Sequence, residues 1–206
     1  MVEIALLAEQ LGMKYLRQGK VNLQKLAKDE DIGIIKGNYQ TYFVGQLICR
    51  DSKFYIMLND DLLKTSEEGR IRFTIAHEFG HFFILEHKEN LANGISLSFN
   101  PTIPISQLKQ YEIEASHFAS HLLMPQSRFI KIANKNQIGL AGIMHLKSKF
   151  NTSIYATSKH YINLDIVSSI LIKWDTNCKF EYCAYSKSFS QFTGITYRLP
   201  IKYYIE

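Results

Sequence analysis

His77 and His81 stand four residues apart in Ile75-Ala76-His77-Glu78-Phe79-Gly80-His81. On a helix that spacing stacks two imidazoles on one face, close enough to grip one ion. Imidazole suits zinc, which takes four ligands in tetrahedral geometry and at catalytic sites keeps one position for water. Glu78 follows the first histidine and would lie beside that water, outside the coordination shell. From there it would take the water's proton as attack begins and hand it to a leaving amine. Zinc would lower the pKa of the water to about 7 and polarise the carbonyl under attack. Phe73, Ile75, Ala76, Phe79, Phe82 and Phe83 surround the pair, so the imidazoles would be buried unless they face a cleft. Burying polar groups without partners is costly, and a metal in a cleft removes that cost. The pattern implies a hydrolytic zinc site.

Two histidines need a third protein ligand. The stretch Tyr111-Glu112-Ile113-Glu114-Ala115-Ser116-His117-Phe118-Ala119 offers two carboxylates. At about 100° per residue, Glu112 and Glu114 point about two hundred degrees apart. Glu112 shares a face with Ala115, Ala119, Leu122 and Leu123, the small and apolar side that suits close packing on the motif helix. Glu114 points with Phe118 and His121. Glu112 is therefore the expected ligand and Glu114 the alternative. His117 and His121 also sit four apart, a spacing that would hold a second metal; the favoured readings are that one of them faces the cleft and hydrogen-bonds a tetrahedral oxyanion, or that both are solvated.

The elements that must hold these residues follow from periodicity. Ile4, Leu7, Ala8 and Leu11 recur at helical spacing until Gly12, and Asn22 is a candidate N-cap for a second short helix. Ile32 to Ile35, Tyr42 to Cys49 and Phe54 to Leu58 read as three strands joined by tight turns at Gly37-Asn38 and Asp51-Ser52. One helix is expected from Ser66 to His87, a loop over 88–105, and a second long helix from Ser106 to Met124, where Pro125 ends it. Helices over 139–150 and 154–164, joined by Asn151-Thr152-Ser153, have a helix-turn-helix outline. Strand texture returns in Val167 to Trp174, Lys179 to Tyr185 and Phe192 to Leu199.

Arg72-Phe73-Thr74-Ile75-Ala76-His77-Glu78-Phe79-Gly80-His81, followed about thirty residues later by Glu112 to Pro125, resembles the two motif helices of the ImmA/IrrE family of metallo-endopeptidases. That family carries R-F-T-x-A-H-E-x-G-H and E-x-x-A-N-x-F-A-x-x-L-L-M-P. The resemblance implies a gluzincin-like zinc site with His77, His81 and Glu112 as ligands and Glu78 as general base. It also implies a protein substrate, a repressor of the helix-turn-helix type cut at one bond. Ser116 departs from the family pattern, which has Asn there, and the last forty residues match no part of it.

The chain has 206 residues with 24 Lys and Arg against 19 Asp and Glu, a net +5. That base is not spread evenly. Residues 1–125 carry 13 basic against 15 acidic side chains, and residues 126–206 carry 11 against 4. The surplus belongs to the helical pair and the strand-rich tail, where DNA or an acidic partner would be met, with Lys147, Lys149, Lys159 and His160 placed to contact phosphates. The competing class is thus a DNA- or partner-binding regulator in which zinc is structural or sensory. Three cysteines, an odd and sparse set, suit a reducing compartment. No run of 18 apolar residues exists and Glu3, Glu9 and Gln10 interrupt any leader, so a cytoplasmic protein is expected. The expected fold is α+β. A helix-rich zincin-like core with a small antiparallel sheet occupies 1–135, a helix-turn-helix-like segment 136–165, and a β-rich tail 166–206.

Overall fold

The computed structural model describes residues 1–64, 66–97 and 103–194. Two units are distinguished by how residues cluster. One comprises Met1–Gln126 together with Ser148–Ser153, the other Ser127–Lys147 and the chain from Ile154 onward.

The first unit begins with α1 (Val2–Lys14), a minimal hairpin of β1 (Leu16–Arg17) and β2 (Lys20–Val21), and α2 (Leu23–Asp29). Asn22 caps α2 as expected, its side chain accepting from the Lys25 N–H at 2.9 Å. Three strands come next, β3 (Gly33–Gly37), β4 (Gly45–Arg50) and β5 (Lys53–Asn59). Their order is β3-β5-β4. Asp51 and Ser52 both have positive φ, 51° and 61°, the twist a two-residue hairpin between β4 and β5 requires.

The sheet is mixed, which corrects the expected antiparallel one. β3 runs parallel to β5, with Ile34 opposite Ile56, and β4 runs antiparallel to it, with Leu47 opposite Ile56. The link after Gly37-Asn38 is therefore no hairpin but a crossing to the far edge. Buried Asn59 supports that crossing: its amide donates to the carbonyls of Gln40 (2.7 Å) and Phe43 (2.8 Å) and its oxygen accepts from the Tyr39 N–H. As a result β4 is an edge strand.

After α3 (Asp60–Leu63) come α4 (Glu68–Phe83), α5 (Leu85–Ala92) and α6 (Ile105–Leu123). The single helix expected over 66–87 is two, because Ile84 adopts φ −81° and ψ 114° and breaks the run. α5 also takes up the start of the expected 88–105 loop. Ile105, just before the expected cap, opens α6, while Pro101 lies outside the described residues. α4 and α6 pack closely: Ala115 has no exposure, and a Cβ on Gly80 would stand 2.8 Å from the Ala115 Cα. Phe83 stacks on Phe118 with centroids 5.6 Å apart. Further along α6, Gly12 lets α1 approach, since a Cβ there would meet the Leu122 carbonyl oxygen at 2.5 Å. Gly12 does not end α1; it is the contact point inside it. Residues 148–153 complete this unit, with the Thr152 backbone against Gly69 and the Thr152 hydroxyl 3.7 Å from the Met124 sulfur.

From Gln126 onward α7 (Gln126–Ala133) precedes α8 (Leu140–Phe150), whose residues from Ser148 belong to the first unit, and α9 (Ile154–Asn163), the expected helix pair. Phe129 packs edge-on to His160 at 4.9 Å, and His160 is buried, so it is not a phosphate contact. The hairpin of β6 (Ile170–Trp174) and β7 (Phe180–Tyr185) matches two expected strands. Phe192 of the third lies instead in α10 (Lys187–Thr193), capped by Ser186, and residues 195–199 lie outside the described residues. Helices with small sheets make this an α+β fold. Among the described residues no helix is long and apolar enough to cross a membrane.

Candidate metal centre

Helix α4 presents His77 and His81 from successive turns, and α6 brings Glu112 across to them. The Nε2 atoms of His77 and His81 are 3.2 Å apart. The His77 Nε2 lies 3.1 Å from Glu112 Oε2, and the His81 Nε2 lies 3.4 Å from Glu112 Oε1. A tetrahedral zinc with bonds of about 2.0–2.1 Å separates its ligand atoms by roughly 3.3–3.4 Å. The three donors already stand at about that spacing. Two imidazoles and a carboxylate are a donor set that could hold a metal ion, and one that suits zinc. Among the described residues no fourth His, Cys, Asp or Glu joins this group.

Glu78 is buried, 5% exposed, on the same helix. Its Oε2 accepts a 2.8 Å hydrogen bond from the Leu47 N–H, which turns outward from the β4 edge. Burial pushes the Glu78 carboxyl above its ordinary value, against the pull of His77, His81 and the Leu47 N–H. Glycine at position 45 matters, because a side chain there would run into Thr74 and stand 3.2 Å from Glu78 Oε1. The cleft in front of the donors is bounded by Gly45, Gln46 and Leu47 on one side and by Leu91 and Leu97 on another.

Burial alone would lower the pKa of His77 and raise that of Glu112. Their mutual hydrogen bond and charge outweigh it: His77 is raised, and Glu112 is held well below the usual carboxylate range with help from His81. The two groups are electrostatically coupled, and Glu78 adds to the rise of His77.

Each histidine is also held from behind. His77 Nδ1 is 3.2 Å from the Ser116 hydroxyl, so the residue that departs from the family pattern still meets His77. His81 Nδ1 is 3.1 Å from His87 Nδ1, and His87 Nε2 is 3.1 Å from Glu114 Oε2. On one continuous helix, residues 81 and 87 would point about 240° apart at ~100° per residue. The break at Ile84 brings them together, and nothing in the sequence pattern marks it. Glu114, weighed as an alternative ligand, is directed to His87 instead.

His117 and His121 do not line the cleft. Their rings lie 4.5 Å apart, near Glu9 and the amino terminus. Burial, then the neighbouring His117, lowers His121 to about 4 from 6.5, while Glu9 opposes. Between those pH values the unfolded chain holds a proton that the folded one refuses, so acidification costs stability. The metal-free protein is expected to lose about 2 kcal/mol from this group between pH 7.5 and pH 5. Urea midpoints at both pH values in wild type and His121→Gln check it: the variant should lose less on acidification, and equal losses would refute the assignment.

Residues 49–159, just over half of the chain, match the family model Peptidase M78, described as the IrrE N-terminal-like domain. No curated protein matches the chain. Among solved structures it is similar to a Mycobacterium tuberculosis transcriptional regulator at 15% identity and a TM-score of 0.61, over 90% of this chain and 56% of that one. The likeness is therefore one of fold, and the chain spans little more than half the length of the regulator.

Proposed function

The chain belongs to the Peptidase M78 family, and from that premise we propose that it is a zinc-dependent endopeptidase that cuts one bond in a regulatory protein, a helix-turn-helix repressor. The observation that carries this reading is the triangle of His77, His81 and Glu112 donor atoms at tetrahedral spacing with Glu78 buried beside it. Zinc held there would supply Lewis acidity, to the attacking water and to the scissile carbonyl alike.

The remaining work falls to the chain. Glu78 is the general base. The Leu47 N–H holds its Oε2, so Oε1 is the atom that takes a proton from water and returns it to the departing amide nitrogen. A carboxyl raised by burial is suited to both halves of that exchange. β4 is an edge strand, and an extended substrate segment would lie alongside it as an added strand, its backbone aligned in front of Glu78. The family premise supports a regulator as the substrate.

A structural zinc takes four protein ligands, so a donor group of three among the described residues favours the catalytic reading over a purely structural or sensory metal. The basic stretch 126–206, with exposed Lys149 and Lys159, is then where the repressor or its DNA is met. Incubating the purified chain with the regulator encoded beside it is expected to give two discrete fragments. Chelation should abolish them and added zinc restore them; cleavage that persists in chelator would overturn the reading.

A further inference from the structure

We propose that His87 and Glu114 are positioning residues that hold His81 in the tautomer and orientation needed to bind a metal. This rests on the reading of His77, His81 and Glu112 as the metal site. Three elements converge to build it: His81 at the end of α4, His87 in the first turn of α5 and Glu114 on α6.

The directions of the hydrogen bonds decide what the chain of contacts does. For His81 Nε2 to offer its lone pair to a metal shared with Glu112 and His77, the ring proton must sit on Nδ1. That Nδ1–H then donates to His87 Nδ1, 3.1 Å away. His87, accepting there, must carry its own proton on Nε2, and this donates to Glu114 Oε2 at 3.1 Å. In that arrangement every proton has one place. Reversing any one bond would put a proton on the face of His81 that binds metal. Glu114 is the anchor because a carboxylate can only accept. Gln110 steadies its other oxygen at 2.7 Å, and the Tyr111 ring packs 4.5 Å from that of His87. His87 has no exposure at all, so water cannot substitute for Glu114 at little cost.

Orienting partners of this kind change metal affinity by about 10–100-fold when removed. The test is Co2+ and Zn2+ affinity by competition with a chromophoric chelator, with the Co2+ visible spectrum as a second readout and circular dichroism as the check on folding. Glu114→Ala is expected to bind about 10–100-fold more weakly with a changed spectrum. Glu114→Gln keeps an acceptor oxygen and should recover most of the affinity. His87→Phe should weaken binding likewise, and His87→Phe/Glu114→Ala should be no weaker than His87→Phe alone. Should the buried His87→Phe fail to fold, the Glu114 pair decides by itself. Wild-type affinity and spectrum in Glu114→Ala would overturn the proposal while leaving the metal site intact. Failure of the wild type itself to bind either ion would overturn both.

Discussion

Replacing Glu78 by Gln is expected to slow peptide-bond cleavage by about 10²–10⁴-fold while zinc remains bound. The amide is nearly the same size and its oxygen still accepts from the Leu47 N–H, so β4 and α4 keep their contact. What disappears is the proton acceptor at the other oxygen. Removing a buried carboxyl also removes a desolvation cost, so the melting temperature should hold or rise. The loss must therefore appear in kcat, with zinc content and stability retained. Cleavage within tenfold of wild type by a zinc-loaded, folded Glu78→Gln protein would remove Glu78 from the mechanism.

Gly80→Val should act on the same site without touching it. Gly80 is where α4 meets α6, and even a Cβ would stand 2.8 Å from the Ala115 Cα and 2.9 Å from its carbonyl oxygen. Both are backbone atoms, so relief comes only from moving the helices apart. Overpacking of this kind costs about 1–3 kcal/mol, more than the few tenths that valine gains over glycine in helix propensity. Since α4 carries His77 and His81 and α6 carries Glu112, separation stretches donor distances that now suit zinc. The expected result is a melting temperature lower by several degrees and a zinc affinity at least tenfold weaker, read by calorimetry and chelator competition. Undiminished affinity in a destabilised Gly80→Val would show that helix spacing does not set the site.

The legible part of the site was the part written along helices. His77 and His81 are one turn apart, and the face shared by Glu112, Ala115 and Ala119 separates Glu112 from Glu114; both follow from 3.6-residue periodicity alone. His87 was not legible because its place depends on the break at Ile84, where no proline or glycine announces one. Leu47 was hidden for another reason: its backbone N–H does the work, and any residue but proline supplies that. The sheet shows the same limit. Ile34, Leu47 and Ile56 read as strands from composition, yet the parallel pairing of β3 with β5 requires the crossing that Asn59 holds, a contact with residues as distant as Tyr39. His117 and His121 have the spacing of ligands but face α1, since the cleft lies on the other side of α6.

Residues 148–153 belong to the unit that bears the donor triangle, although some twenty residues of the other unit intervene. A ribosome delivers a chain in order, so His77, Glu78, His81 and Glu112 are all synthesised before Thr152 exists to cover Gly69 and Met124. The contact spans on the order of eighty residues and is among the slow, non-local kind. A nascent chain thus carries His77, His81 and Glu112 while Gly69 and Met124 are still uncovered. Emergence of residues 148–153 from the ribosome, and not of Glu112, marks the moment at which the first unit can close.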